Sequence, residues 1–124
     1  MKTKIETTKA PKVIGPYSQA IMTKNFVFTS GQIHSMPDGK LLDGTIEEQT
    51  HQVMRNLEAI LKAAGVSFAD VVKTNMYITD MSFYKKINEV YKSYITEPYT
   101  AREAIAVKGL PLGARIEISM IAVK

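Results

Sequence analysis

Two charged residues near the C-terminus have types and surroundings that favour chemistry. Arg102 opens one strand-like segment, and Glu117 lies within another that is otherwise rich in Ile and Met. A guanidinium binds a carboxylate through two parallel hydrogen bonds, and only Arg55, Arg102 and Arg115 can supply one here. A carboxylate among apolar residues costs free energy unless it is paired or used. The pattern favours equally an alternative in which Glu117 lies with Ser119 on the solvent side of an amphipathic strand.

The spacing does not predict whether Arg102 and Glu117 meet. Segments 102–107 and 115–123 read as two strands of a hairpin with a wide, Gly-containing turn. In one register of that hairpin both side chains would share a face, but they would lie about four residues, or about 13 Å, apart. Contact between them therefore stays open at this point.

Other kinds of catalytic group have little support. The chain has no cysteine, which excludes a disulfide framework, a thiolate zinc site and a cysteine nucleophile. His34 and His51 have no carboxylate cluster at metal-ligand spacing, so we predict neither a metal nor a cofactor. We expect His51 at the surface or the core edge, whereas His34 is a weak general-base candidate. Ser30 lacks the glycine pattern of a nucleophile elbow, and no Gly-rich phosphate loop is present.

Length and composition predict one domain over residues 1–124. The chain is 45% hydrophobic and 23% charged, close to the globular average, and its length gives room for one core. No stretch approaches the roughly 18 apolar residues of a membrane span, and no signal-peptide core is visible. We therefore expect a cytoplasmic protein without a membrane partner. The net charge of +4 suits anionic partners from a carboxylate metabolite to RNA.

The elements that must position these residues follow from hydrophobic periodicity. Strands are predicted over 3–8, 20–22, 26–29, 71–79, 102–107 and 115–123. Thr45 and Glu48 form a capping box that begins a long helix, which ends at Gly65. A second helix begins at Asp80 or Ser82 and ends at Glu97-Pro98. In the fourth strand, alternate residues from Val72 to Ile78 are expected to share one face.

The predicted order is β-β-β-α-β-α-β-β, an α+β fold. Both helices lie on one side of a mostly antiparallel sheet. The uncovered sheet face would expose apolar side chains, and such faces usually bind other chains. We therefore expect a homo-oligomer.

Four sequence blocks together resemble the Rid family, also known as the YjgF family. They appear in family order from about Pro11 to Val123, and they are Gly15-Pro16-Tyr17-Ser18-Gln19-Ala20, Phe28-Thr29-Ser30-Gly31-Gln32-Ile33, Asn88-Glu89-Val90-Tyr91, and Ala101-Arg102 with Leu110-Pro111 and Ile116-Glu117-Ile118. The resemblance implies a chorismate-mutase-like fold in a homotrimer, with sites in clefts between subunits. It also implies hydrolysis of reactive 2-enamine and 2-imino acids to 2-oxo acids and ammonia, without a cofactor.

The resemblance also implies roles for individual residues. Arg102 would bind the substrate carboxylate, and Glu117 would orient the attacking water. Tyr17 would cap the pocket. The substrate's other polar groups would be held by Ser30, Gly31, Asn88 and the backbone of Ala104.

The chain departs from the family pattern beside the arginine. Thr100 stands where members usually have proline, Glu103 where they have a small residue, and Ala104 where many have cysteine. These differences bear on substrate range and rate more than on fold.

Two other functions are consistent with the sequence. RNA binding or cleavage is suggested by the basic balance and by roles ascribed to some relatives, but the lysines are dispersed and form no recognisable RNA-binding motif. A non-catalytic regulator in which Arg102 captures a keto acid is the third hypothesis.

Overall fold

The long helix begins at the predicted capping box. The computed structural model describes residues 1–124, and helix α1 spans Ile46–Ala63. The Thr45 hydroxyl accepts from the Glu48 amide at 3.1 Å, and the Glu48 carboxylate accepts from the Thr45 amide at 2.9 Å. These two bonds satisfy amides that have no partner within the helix. The apolar stripe of α1 is fully buried, so the helix forms the centre of the core.

Six strands form one sheet. They are β1 (Thr3–Ile5), β2 (Ala20–Met22), β3 (Phe26–Thr29), β4 (Val71–Ile78), β5 (Ala101–Ala106) and β6 (Ile116–Val123). Their order is β1-β2-β3-β6-β4-β5, and every neighbouring pair is antiparallel except β4 and β5. The second helix, α2, spans Tyr84–Lys92 and packs against α1. The predicted α+β fold is confirmed, and neither helix is long and apolar enough to cross a membrane.

The two faces of the sheet differ in burial. Alternate residues of β4 and β6 pack under the helices, including Met76, Ile118 and Met120, which are almost completely buried. The opposite face is uncovered and exposes the apolar side chains Phe26, Phe28, Val72, Ile105 and Val123, each about 39 to 47% accessible. The predicted apolar face therefore exists.

The predicted hairpin of the last two strands is wrong. β4 lies between β5 and β6, and β5 pairs with β4 in parallel after the crossover through α2. A turn between two strand-like segments usually indicates a hairpin. Here the Gly-containing turn at 109–113 instead carries the chain past β4 to β6. Spacing along the sequence consequently does not describe how Arg102 and Glu117 are related.

The bounds of several elements, and the register of one strand, differ from the predictions. β1 ends at Ile5 and not at Thr8. Helix α2 ends at Lys92, because the Ser93 hydroxyl and amide both bond the Val90 carbonyl and tighten the last turn. A bulge at Val72 shifts the register of β4, so that this side chain is exposed although it was predicted to share a face with Met76 and Ile78, which are buried.

Candidate active site

Arg102 lies on the helix-covered face of the sheet, at its edge. In the parallel pairing of β4 and β5, Arg102 is opposite Thr74, which is fully buried beneath α2. The guanidinium Nη2 donates to the Tyr84 hydroxyl at 2.7 Å, and Cζ lies 5.1 Å from the centre of the Tyr91 ring. Cation–π contact and a charge-assisted bond thus hold a half-buried guanidinium between two tyrosines.

Asn88 lies next to this guanidinium in a groove of about 480 Å³. Its lining includes Tyr91, Ile95, Tyr99 and Arg102. Asn88 Oδ1 is buried and has no hydrogen-bond partner within the chain, which leaves one acceptor unsatisfied beside the groove. A ligand that brings both a carboxylate and an N–H donor would satisfy Arg102 and Asn88 together.

The Tyr84 hydroxyl is electrostatically altered by the same neighbours. The adjoining Asn88 side chain and the positive charge of Arg102 lower the pKa of Tyr84 below its usual value, against the opposing effect of burial. Tyr84, Asn88 and Tyr91 are spaced four and three residues apart on α2, so they project from one side of that helix. That spacing is the sequence signal by which the two tyrosines could have been found, and sequence reasoning missed both.

Glu117 lies on the opposite, uncovered face. It is paired with Tyr77 of β4, one position out of phase with the buried Ile116 and Ile118. The carboxylate is half-buried, and it forms no hydrogen bond or ion pair within the chain. Burial therefore raises the pKa of Glu117 above its ordinary value. A carboxyl group tuned in this direction is suited to proton transfer nearer neutral pH.

Gly31 makes room for the Glu117 carboxylate. The backbone of Gln32 bonds Ile118 in both directions, at 2.9 and 3.1 Å, which brings the Gly31 segment against β6. A Cβ atom on Gly31 would lie 2.5 Å from Glu117 Oε2 and 2.7 Å from its Cδ. Glycine is required here because of this close approach and not because of an unusual backbone angle.

Tyr17 and Ser30 lie in the neighbourhood of Gly31. The Ser30 hydroxyl donates to the Ser18 carbonyl at 2.5 Å, which ties the 17–19 segment to the end of β3. Tyr17 is 56% exposed and lines a second cavity, of about 320 Å³, with Gly31. Half of the side chain is thus free to cover a ligand or a neighbouring molecule.

A single chain contains two groups of site residues on opposite faces of the sheet. We call Arg102, Asn88 and Ala104 the Arg102 group, and Tyr17, Ser30, Gly31 and Glu117 the Glu117 group. Ala104 belongs to the first because it faces the helices, two residues along β5 from Arg102. Arg102 and Glu117 therefore do not share a face of the sheet, as they would in the hairpin. β4 separates their strands, and their side chains point to opposite sides.

The histidines are structural. His34 is 1% exposed, its Nδ1 bonds the Leu42 carbonyl at 3.0 Å, and its Nε2 accepts from the Arg115 amide at 3.0 Å. Both ring nitrogens are occupied, so the general-base role considered for His34 is wrong. His51 is half-buried and bonds the Tyr94 hydroxyl at 2.8 Å, which confirms the expected core-edge position. No group of three or more His, Asp or Glu side chains is arranged to hold a metal ion.

Comparison with known proteins decides the family. A family model described as Endoribonuclease L-PSP matches residues 7–124. The crystal structure of YyfA from Yersinia pestis, a protein of the conserved Rid family, is 41% identical, with a TM-score of 0.97 over 100% of both chains. The chain belongs to the Rid family. The resemblance drawn from the sequence motifs is thereby confirmed.

Two named relatives are similar over most of their length. A RutC family protein of Pyrococcus horikoshii is 50% identical over 100% of this chain and 99% of its own. Human 2-iminobutanoate/2-iminopropanoate deaminase is 43% identical over 97% of this chain and 88% of its own. Homologues that carry a deaminase name therefore exist at this level of identity within the Rid family.

Proposed function

We propose that this Rid-family chain hydrolyses 2-imino acids, such as 2-iminobutanoate and 2-iminopropanoate, to 2-oxo acids and ammonia. The observation that carries the proposal is the Arg102 group, in which a guanidinium is held beside the unsatisfied Asn88 Oδ1. A 2-imino acid has a carboxylate and an adjacent N–H donor, which match those two groups. The deaminase name of the human relative supports the same reaction.

We infer that the active site is completed between copies of the chain in a homotrimer. Arg102 and Glu117 lie on opposite faces, so one chain cannot bring both to one substrate. The uncovered apolar face around Phe28 and Ile105 is available to a second copy. Packing of that face would bring the Glu117 group of one copy to the Arg102 group of its neighbour.

The reaction then needs orientation and proton transfer. Arg102 binds the carboxylate, and Asn88 Oδ1 accepts from the iminium N–H. Glu117, as the carboxylate, takes a proton from water while the water oxygen bonds to the iminium carbon, which gives a carbinolamine. Glu117 returns that proton to the nitrogen. The C–N bond then breaks and ammonia leaves. The hydroxyl proton passes to the Glu117 carboxylate and from there to the ammonia, which gives the 2-oxo acid and an ammonium ion.

The test is the decay of an imino acid made in place. An amino acid oxidase generates 2-iminobutanoate, and trapping with semicarbazide at short times measures what remains. We expect the protein to accelerate the decay and Arg102→Ala to abolish the acceleration. Arg55→Ala is the matched control, because Arg55 is exposed and belongs to neither group. Unchanged decay with wild-type protein, or a fully active Arg102→Ala variant, contradicts the proposal.

A second candidate is ribonuclease activity, which the description of the matching family model favours. It predicts RNA binding that weakens steeply with salt, since phosphate contacts release counterions. Incubation of labelled RNA with wild-type and Glu117→Gln protein separates the two functions. Cleavage lost in the variant, with no imine hydrolysis in either protein, would favour ribonuclease. Binding of 2-oxobutanoate without turnover would instead favour the keto-acid regulator.

A further inference from the structure

Three hydroxyl groups form a closed ring of hydrogen bonds beside Arg102. Thr74 Oγ1 lies 2.9 Å from Tyr91 Oη and 3.0 Å from Thr100 Oγ1, and Tyr91 Oη lies 2.9 Å from Thr100 Oγ1. The three residues come from β4, α2 and the position just before β5. Thr74 and Tyr91 are buried, and Thr100 is half-buried.

The ring is saturated by its own members. Each hydroxyl has one proton, so three hydrogen bonds around a ring of three use every donor. None of these protons remains to bind a ligand, although Tyr91 and Thr100 line the groove. The ring instead joins α2, β4 and the start of β5 at one point, and it fixes the hydroxyl end of the Tyr91 side chain.

The aromatic ring of Tyr91 also faces the guanidinium. Arg102 Cζ lies 5.1 Å from the centre of the Tyr91 ring. Thr100 and Arg102 are two residues apart, so they project on the same side of the chain as it enters β5. Arg102 has five N–H donors and uses one within the chain, toward Tyr84. The Tyr91 ring therefore limits the orientation of the remaining donors.

We propose that Thr74, Tyr91 and Thr100 act as positioning residues, whose hydroxyl ring holds the Tyr91 aromatic face against Arg102 and so orients the guanidinium toward a ligand carboxylate. This inference rests on the proposed function for the identity of the ligand. It also gives a role to Thr100, one of the residues at which the chain departs from the family pattern. Proline has no hydroxyl and could not close the ring.

The first test is kinetic. Thr100→Val keeps the side-chain volume and removes one hydroxyl, and Tyr91→Phe keeps the aromatic ring. Each variant removes two of the three hydrogen bonds of the ring. Because the guanidinium is then less well oriented, we expect KM for 2-iminobutanoate to rise about 3- to 10-fold, with kcat within about 2-fold. Thr100→Ser restores the hydroxyl and should restore KM. Thr96→Val is the matched control, because Thr96 is exposed and forms no side-chain hydrogen bond.

The second test needs no turnover. The chain has three arginines, so the Nε–Hε region of its nitrogen–proton NMR spectrum holds three arginine signals, and Arg102→Lys identifies one of them. We expect the Arg102 signal to be sharp in wild-type protein and Thr96→Val, and broadened in Thr100→Val and Tyr91→Phe. An unchanged Arg102 signal in both ring variants overturns the inference, as does a fall in kcat at constant KM.

The two proposals fail in different ways. Wild-type protein that neither hydrolyses 2-iminobutanoate nor binds 2-oxobutanoate contradicts the proposed function, while the NMR comparison still decides whether the ring orders Arg102. Active wild-type protein whose ring variants match Thr96→Val contradicts the positioning role alone.

Discussion

Substitution of Gly31 by alanine distinguishes the role of the Glu117 group from the role of the Arg102 group. The new Cβ would overlap the Glu117 carboxylate at 2.5 Å from Oε2, 2.7 Å from Cδ and 3.0 Å from Cγ. Heavy atoms without a bond between them do not approach so closely, so the carboxylate must move by about 1 Å to reach ordinary contact. A displacement of that size at a reacting group costs about 10²-fold in rate. The fold should persist, because the overlap is with a side chain that can rotate.

We therefore expect Gly31→Ala to lower kcat for imine hydrolysis about 10²-fold. Binding of 2-oxobutanoate, measured by calorimetry, should change less than about 3-fold, because the carboxylate is proposed to bind the Arg102 group, which lies on the other face of the sheet. Gly109→Ala is the matched control, since a Cβ there would meet nothing within 4 Å. Wild-type kcat in Gly31→Ala, with a normal melting temperature, would refute the placement of Glu117 in the reaction.

Three further predictions follow from the same contacts. In the proposed reaction Glu117 acts as a carboxylate, and burial raises its pKa, so kcat/KM should fall as the pH is lowered through a value above 4.5. This limb should be absent from the weakly active Glu117→Gln variant, and a profile that is the same in both proteins contradicts the assignment. Burial lowers the pKa of His34, so below pH 6.5 the unfolded chain binds a proton that the native chain does not. The urea concentration at the unfolding midpoint should therefore decrease as the pH is lowered from 7 toward the native pKa, and a constant midpoint would show that burial does not perturb His34. Phe28→Asp places a charge on the uncovered apolar face and should reduce the mass in light scattering to that of one chain, whereas Met81→Asp, at an exposed position in the turn before α2, should not. An intact assembly in Phe28→Asp would place the interface elsewhere.

Local patterns predicted the elements that depend on local interactions. The capping box at Thr45 and Glu48 identified the start of α1, and two β-prone runs separated by a short turn gave the β2–β3 hairpin with the observed bounds. Both features rest on contacts between residues close in sequence. The end of α2 was missed because a serine side chain, and not a proline or glycine, closes its last turn.

The arrangement of the last strands depends on long-range pairing, which local patterns do not encode. β5 pairs with β4 in parallel. The crossover that parallel pairing requires runs through α2, and the turn at 109–113 plays no part in it. The bulge at Val72 could likewise not be predicted, because no glycine or proline lies there to indicate it.

Arg102 and Glu117 were identified as candidates from the sequence, but their relative position in the sheet was not predicted. The apolar run around Glu117 indicated an unusual carboxylate, and the shortage of arginines drew attention to Arg102. That the two face opposite sides follows only from the strand order. The tyrosines that hold Arg102 were missed, since their ring packing depends on how α2 crosses β5.

Complementation between inactive variants tests most directly whether imine hydrolysis occurs at sites built from two copies. Arg102→Ala and Glu117→Gln chains are co-expressed in equal amounts with different affinity tags, and doubly tagged assemblies are assayed for 2-iminobutanoate hydrolysis. If each site of a trimer takes Arg102 from one copy and Glu117 from the next, every doubly tagged trimer keeps one intact site of its three, and activity should recover to about a third of wild type. Mixed assemblies no more active than either variant alone, beside active wild-type protein, would contradict a site shared between copies.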